Sequence, residues 1–259
     1  MEKKIVLLHL ENYKYDVIDF IILSHPHKDH YSGLLELLEY IEKKKITINR
    51  FAQTITHAGV AYWKYFEISS SDSRLLQKII KKTRDLKEQG LIKKNDLLLD
   101  GKLIQIEQNI ELECLAPSND DIELYQKIVK LDADKNIKQA SKAANLLATV
   151  IKLKIEDNFI LFTSDAESSA LLGIIKNYAQ KFKGAKFHVC QLPHHGSENN
   201  INENFWEIVE TIDDKVYTLS ETSEITGYKK YSFAGVSASS GWVVNADGVL
   251  TAFPTLEQN

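Results

Sequence analysis

The sequence predicts an α/β protein of two sheets flanked by helices, on three observations. Short apolar runs bounded by turn residues alternate with segments of helical period. Reactive side chains gather just beyond the ends of those runs. The two halves share an outline of strands, then a ligand-bearing turn, then a helix. At 259 residues and 44% hydrophobic content the chain can bury a full core, which excludes a disordered or fibrous protein. We expect a single domain over 1–259.

Taken in order, Lys4 to Leu10 and Val17 to Leu23 read as strands, and Ser32 to Lys44 carries Leu34, Leu35, Leu37, Leu38 and Ile41 at helical spacing. Ile46 to Phe66 is aromatic and β-branched, suited to strand and turn. Asp72 to Gln89 reads as a helix with Asp72 as its N-cap and Gly90 as its stop. Leu103 to Ile106 and Ile110 to Leu115 alternate as a hairpin. Residues 119–144 are charged and helix-compatible, and are read as an expendable surface connector. Leu146 to Ile155 and Asn158 to Thr163 form a strand pair about the Glu156-Asp157 turn. Ala166 to Phe182 is helical, Lys186 to Leu192 a strand, and Ile201 to Val209 helical again. Val216 to Leu219, Ser239 to Val244 and Val249 to Phe253 close the list of strands, with little pattern over 220–240.

The net charge of -4 argues against a protein that coats nucleic acid by bulk electrostatics, so any contact with phosphates has to be focused. Lys78, Lys81, Lys82, Arg84, Lys87, Lys93 and Lys94 are offset by Asp85, Glu88 and Asp96, as on a solvated helix face. Two cysteines, Cys114 and Cys190, are too few for a disulfide framework and lack metal-pair spacing. They suggest buried thiols in a reducing compartment, the cytoplasm. The longest apolar stretches fall well short of the roughly 20 residues that span a bilayer, so no membrane association is expected.

The chemistry concentrates at His25-Pro26-His27-Lys28-Asp29-His30, directly behind the apolar run Val17 to Leu23. Three of the eight histidines fall in these six positions. His25 and His27, one residue apart in an extended turn, can bind one divalent ion through imidazole nitrogen, while Asp29 and His30 face a second. Neither pair completes a coordination sphere, so a further carboxylate is required. Asp165, after the strand ending at Thr163, is the best candidate for bridging two ions, with a helix cap as its competing role. A second ligand-bearing turn, Pro193-His194-His195-Gly196-Ser197, offers another imidazole, and either His194 or His195 can be the one that turns inward. His9, His57 and His188 lack a motif partner and are read as structural. Two ions roughly 3.5–4 Å apart can share a hydroxide as nucleophile and stabilise attacking and leaving oxygens, which is hydrolysis at phosphorus or an acyl carbon.

These residues resemble the metallo-β-lactamase superfamily, whose hallmark is HxHxDH followed by a later metal-bridging Asp. The segments Leu23 to Leu34, Leu161 to Glu167 and Leu192 to Ser197 are similar to the hydrolase domain of the DNA-uptake protein ComEC and its free-standing relatives. Leu112 to Pro117 and Asn145 also sit where those relatives carry similar segments. The likeness spans roughly residues 16–220, aligned by its motifs. It implies a four-layer αββα sandwich of two mixed sheets flanked by helices, and two divalent metal ions, zinc or manganese, held by His25, His27, Asp29, His30, Asp165 and His194. It further implies nuclease or phosphodiesterase activity. Two departures stand out. Only 24 residues precede His25, so the first sheet is trimmed, the start is misplaced, or a homo-oligomer or partner protein covers the sheet edge. No His follows His195, where the superfamily carries a late ligand.

The expected function is therefore a metal-dependent phosphodiesterase or nuclease that uses a metal-bridging hydroxide on a phosphodiester substrate, DNA among them. Asp29 would also orient the hydroxide, and His195 would protonate the leaving oxygen or bind phosphate. The alternatives are a small-molecule ester, lactam or thioester hydrolase of the same fold, and a degenerate, non-catalytic interaction module.

Overall fold

A computed structural model describes residues 3–58, 70–132, 142–194, 200, 202–211, 218–219, 242–244 and 250–252. The chain is α/β and divides into two compact units, one made of Met1–Leu99 with Asn119–Ala148 and the other of Asp100–Ser118 with Thr149–Asn259. The His195 turn residue and positions 220–240 lie outside the described residues.

The first unit begins with helix α1 (Lys3–Tyr13), followed by β1 (Val17–Leu23), a single turn α2 (Lys28–Tyr31), α3 (Leu34–Lys44), β2 (Thr47–Gln53), α4 (Ser70–Glu88) and β3 (Ile92–Leu97). The strand expected at Lys4 to Leu10 is thus a helix. Its Leu, Lys and Glu side chains, unbranched at Cβ, favour helix, and Val6 and Leu8 stand half exposed with Leu10 buried, so no pleated face is covered. The three strands form a parallel sheet in the order β1-β2-β3. Each connection contains a helix, and helical crossovers are what join parallel neighbours. Among the described residues β1 is an edge strand.

Helix α3 buries Leu38 and Ile41, and α4 buries Leu76, Ile79, Thr83 and Leu86, a 3-4-3 spacing that sets one face against the core. Helix α4 starts at Ser70, so Asp72 lies inside it and not at its cap. Gly90 ends the segment with φ +74, as a left-handed stop requires. On the outer face Lys82 pairs with Glu42 at 2.9 Å and Lys87 donates to the Lys93 carbonyl, which uses part of the basic stretch internally.

The charged segment after Ser118 is helical as expected, α5 (Asn119–Asp132), but it is no surface appendage. Ile122, Tyr125 and Val129 are buried in the same cluster as Leu38, Ile79 and Leu147. Their spacing puts an apolar stripe inward, and the charges that drew attention occupy the other face.

The second unit is built on β4 (Leu103–Glu107), β5 (Ile110–Ala116), β6 (Val150–Ile155), β7 (Asn158–Phe162), α6 (Ser168–Tyr178), β8 (Lys186–Gln191), α7 (Glu203–Glu207), β9 (Glu210–Thr211) and β10 (Thr218–Leu219). A separate ribbon pairs β11 (Trp242–Val244) with β12 (Leu250–Ala252). The seven-stranded sheet runs β10-β8-β7-β6-β5-β4, with β9 also on β8. It supplies the mixed character that the sequence predicts. Strands β4 to β7 are antiparallel neighbours, with tight turns between β4 and β5 and between β6 and β7, whereas residues 117–149 separate β5 from β6 in the chain; β7 and β8 are parallel across α6. Leu161, Leu171, Ile174, Phe182, Phe187 and Phe205 pack the core of this unit. Among the described residues no helix is long and apolar enough to cross a membrane.

Candidate metal centre

Strand β1 delivers its last residue, Leu23, into the core at 1% exposure, and the chain then turns out through Ser24 to Pro26 into the short helix α2. This is the carboxyl end of a parallel strand, where open α/β sheets present their chemistry. His25 is fully buried, His27 and His30 are half-buried, and Asp29 is exposed in the first turn of α2.

The geometry within this loop sorts the ring nitrogens. Nε2 of His25 faces Nδ1 of His27 at 3.2 Å. Oδ2 of Asp29 lies 3.6 Å from Nε2 of His30. Two ligand atoms on one tetrahedral zinc, with arms of roughly 2.0–2.2 Å, stand roughly 3.3–3.6 Å apart. Both pairs are therefore close to the spacing that one cation needs from two ligands. The opposite nitrogens meet Ser24, whose Oγ is 3.3 Å from Nδ1 of His25 and 3.5 Å from Nδ1 of His30. One hydroxyl thus engages the Nδ1 side of two rings, which sets Nε2 as the outward nitrogen of each. Ser24 is itself placed by Thr54, whose hydroxyl donates to its carbonyl at 3.2 Å.

In the second unit, β7 and β8 are parallel neighbours, so their carboxyl ends coincide. That brings Asp165 and His194 together, with Oδ2 of Asp165 3.9 Å from Nε2 of His194. Asp165 is 3% exposed. Helix α6 has Glu167 at its N-cap position, so Asp165 does not cap it. Ser164 and His194 both have positive φ, +47 and +49, a conformation that costs a non-glycine residue about 1–2 kcal/mol. Backbone bonds hold it: the His194 amide donates to the Ser164 carbonyl at 2.9 Å. Gln191 accepts from the amides of Thr163 and Ser164 through its side-chain oxygen.

Asn200 contacts Nδ1 of His194 at 2.7 Å through its amide. With Nδ2 donating, Nε2 carries the ring proton. With the amide turned over, Oδ1 accepts a proton from Nδ1 and Nε2 becomes the basic nitrogen suited to a cation.

Each loop thus presents ligand atoms from the side chains singled out in the sequence. His25 with His27 and Asp29 with His30 are paired in the first unit, and Asp165 with His194 in the second. Ser24, Gln191 and Asn200 were not foreseen. Their roles depend on neighbours that only folding supplies, and a lone Ser, Gln or Asn carries no spacing signal.

No family model matches the chain, and no curated protein matches it either.

Proposed function

We propose that this protein is a metal-dependent hydrolase acting on phosphodiesters, with nucleic acid, DNA first, as the substrate to try. The observation that carries the reading is the paired spacing in the first loop, 3.2 Å for His25 and His27 and 3.6 Å for Asp29 and His30, which suits two divalent cations, zinc or manganese. Asp165 is assigned as the shared carboxylate on its chemistry, a buried acid beside an imidazole on a strained turn. The sequence pattern after HxHxDH supports the same choice. His194 is its companion ligand. Cations held by these residues would activate water and neutralise charge developing on the phosphoryl oxygens.

The chain's own groups do the rest. His25 and His30 are oriented through Ser24, and the Asp165 loop is pinned from β8. Asp29, exposed in the first turn of α2, would also orient the hydroxide. His195 would protonate the leaving oxygen or bind the phosphate.

We assign the protein to a reducing compartment, the cytoplasm, which the two buried free thiols support. A second copy or a partner protein is expected along the outer edge of β1, where Val17 is 46% exposed.

Metal analysis of the purified protein together with cleavage of bis-p-nitrophenyl phosphate and of single- and double-stranded DNA tests the reading. About two transition metals per chain and turnover, both reduced in Asp165→Ala, are expected. Metal retained without turnover on any phosphodiester would move the assignment to ester, lactam or thioester hydrolysis, or to a non-catalytic module.

A further inference from the structure

Gln191 is the last residue of β8, and its side chain reaches across to the end of β7. Its Oε1 lies 3.2 Å from the amide nitrogen of Thr163 and 3.0 Å from that of Ser164. Two successive backbone donors converge on one atom, so that atom is an acceptor, and the orientation of the carboxamide is fixed by chemistry. A second bond ties the same strands independently, since the Thr163 hydroxyl donates to the Gln191 carbonyl at 2.8 Å. Thr163 and Ser164 are 0% and 5% exposed, so their amides have little access to water. The next residue is Asp165.

We propose that Gln191 is a positioning residue for Asp165: by gathering the Thr163 and Ser164 amides on one oxygen it holds Ser164 in the left-handed conformation and so fixes the direction in which the Asp165 carboxylate leaves the turn. The inference rests on the reading of Asp165 as a metal ligand. It assigns to the last residue of β8 a task that hydrogen-bonding partners of ligand loops commonly perform, and loss of such a partner typically weakens metal affinity roughly 10- to 100-fold. Because His194 follows β8 by only three residues and donates its amide back to the Ser164 carbonyl, the same clamp also couples the two ligand turns.

The test uses the full chain, titrating zinc against a chromophoric chelator, with circular dichroism and thermal melting on every variant. Gln191→Met keeps the length of the side chain and removes the acceptor. It is expected to bind its weaker zinc equivalent roughly 10- to 100-fold less tightly while folding normally. Gln191→Glu keeps an acceptor oxygen in place and is expected to retain the affinity. Thr163→Val removes the other bond between the strands and is expected to lower the melting temperature with zinc affinity unchanged. Wild-type affinity in Gln191→Met overturns the proposal, as does equal weakening in Gln191→Glu or in Thr163→Val. If Gln191→Met does not fold, the Glu and Val variants decide by the same criteria. Asp165→Ala separates the premise from the inference: unchanged zinc binding there removes Asp165 as a ligand and the role of Gln191 with it. Loss there with none in Gln191→Met overturns the role of Gln191 alone.

Discussion

Nε2 of His25 and Nδ1 of His27 face each other at 3.2 Å across a single intervening proline. The proline matters, because it restricts His25 to extended backbone and cannot itself continue a helix, so the two rings stay on one side of the turn. Replacing either ring by alanine should remove one equivalent of bound metal; the half-buried His27→Ala should leave the melting temperature of the metal-free protein within a few degrees, whereas the fully buried His25→Ala should lower it further through the cavity it leaves. Equilibrium dialysis with elemental analysis reads the stoichiometry. Two equivalents retained in both variants would dissociate these rings from cation binding.

Helix α5 makes a sharper claim about stability. Tyr125 is fully buried in the first unit's core, so Tyr125→Ala should cost about 3–5 kcal/mol in a denaturant titration. Leu124, its neighbour in sequence, is 45% exposed, and Leu124→Ala should stay within about 0.5 kcal/mol of wild type. Equal effects would return α5 to the status of a surface connector.

The two thiols give the folded protein an alkaline weakness. Burial pushes the Cys114 thiol from its ordinary 9.0 up to about 12 and pushes the Cys190 thiol up as well. Above about pH 9 the unfolded chain has released thiol protons that the folded chain keeps, so the unfolded state binds fewer protons and stability falls as pH rises. Each thiol should contribute about 1.4 kcal/mol of loss per pH unit through that window, and nothing below it. Denaturant midpoints measured across the window should decline less steeply in a Cys114→Ala, Cys190→Ala double variant. Parallel slopes would show that the thiols are not the source.

Two glycines invite the same substitution with opposite results. A Cβ at Gly90 would meet nothing within 4 Å, yet φ is +74, so Gly90→Ala should destabilise by about 1–2 kcal/mol through backbone strain alone. Gly173 sits inside α6 with equally open space, and Gly173→Ala should stabilise by up to about 1 kcal/mol. Thermal melts of the two single variants suffice, and shifts in the same direction would contradict the backbone account.

Legibility in the sequence followed the range of the forces involved. Val17 to Leu23 could be read directly because a β-branched run with turn residues behind it has few other uses, and Gly90 marked a helix end through its own backbone. The stretch before Tyr13 misled because a short apolar run has no period of its own. Helix α5 misled in another way: Ile122, Tyr125 and Val129 form a helical stripe, but Asp120 and Asp121 before them and Glu123 and Lys127 between them dominate its composition. Among site residues, His25, His27, Asp29 and His30 announced themselves by residue type and spacing. Gln191 could not, since its partners Thr163 and Ser164 lie 28 and 27 positions away and only the parallel pairing of β7 with β8 joins them.

The first unit is discontinuous in the chain, Met1–Leu99 resuming at Asn119–Ala148. A ribosome must therefore release the β4–β5 hairpin, which belongs elsewhere, before Tyr125, Val129 and Leu147 are available to seal the first core. Early truncation products would carry an open apolar surface. Neither unit can be cut out as one uninterrupted fragment, so a library of terminal deletions would find no short piece that melts cooperatively, whereas splicing 99 directly to 119 would be the design that does.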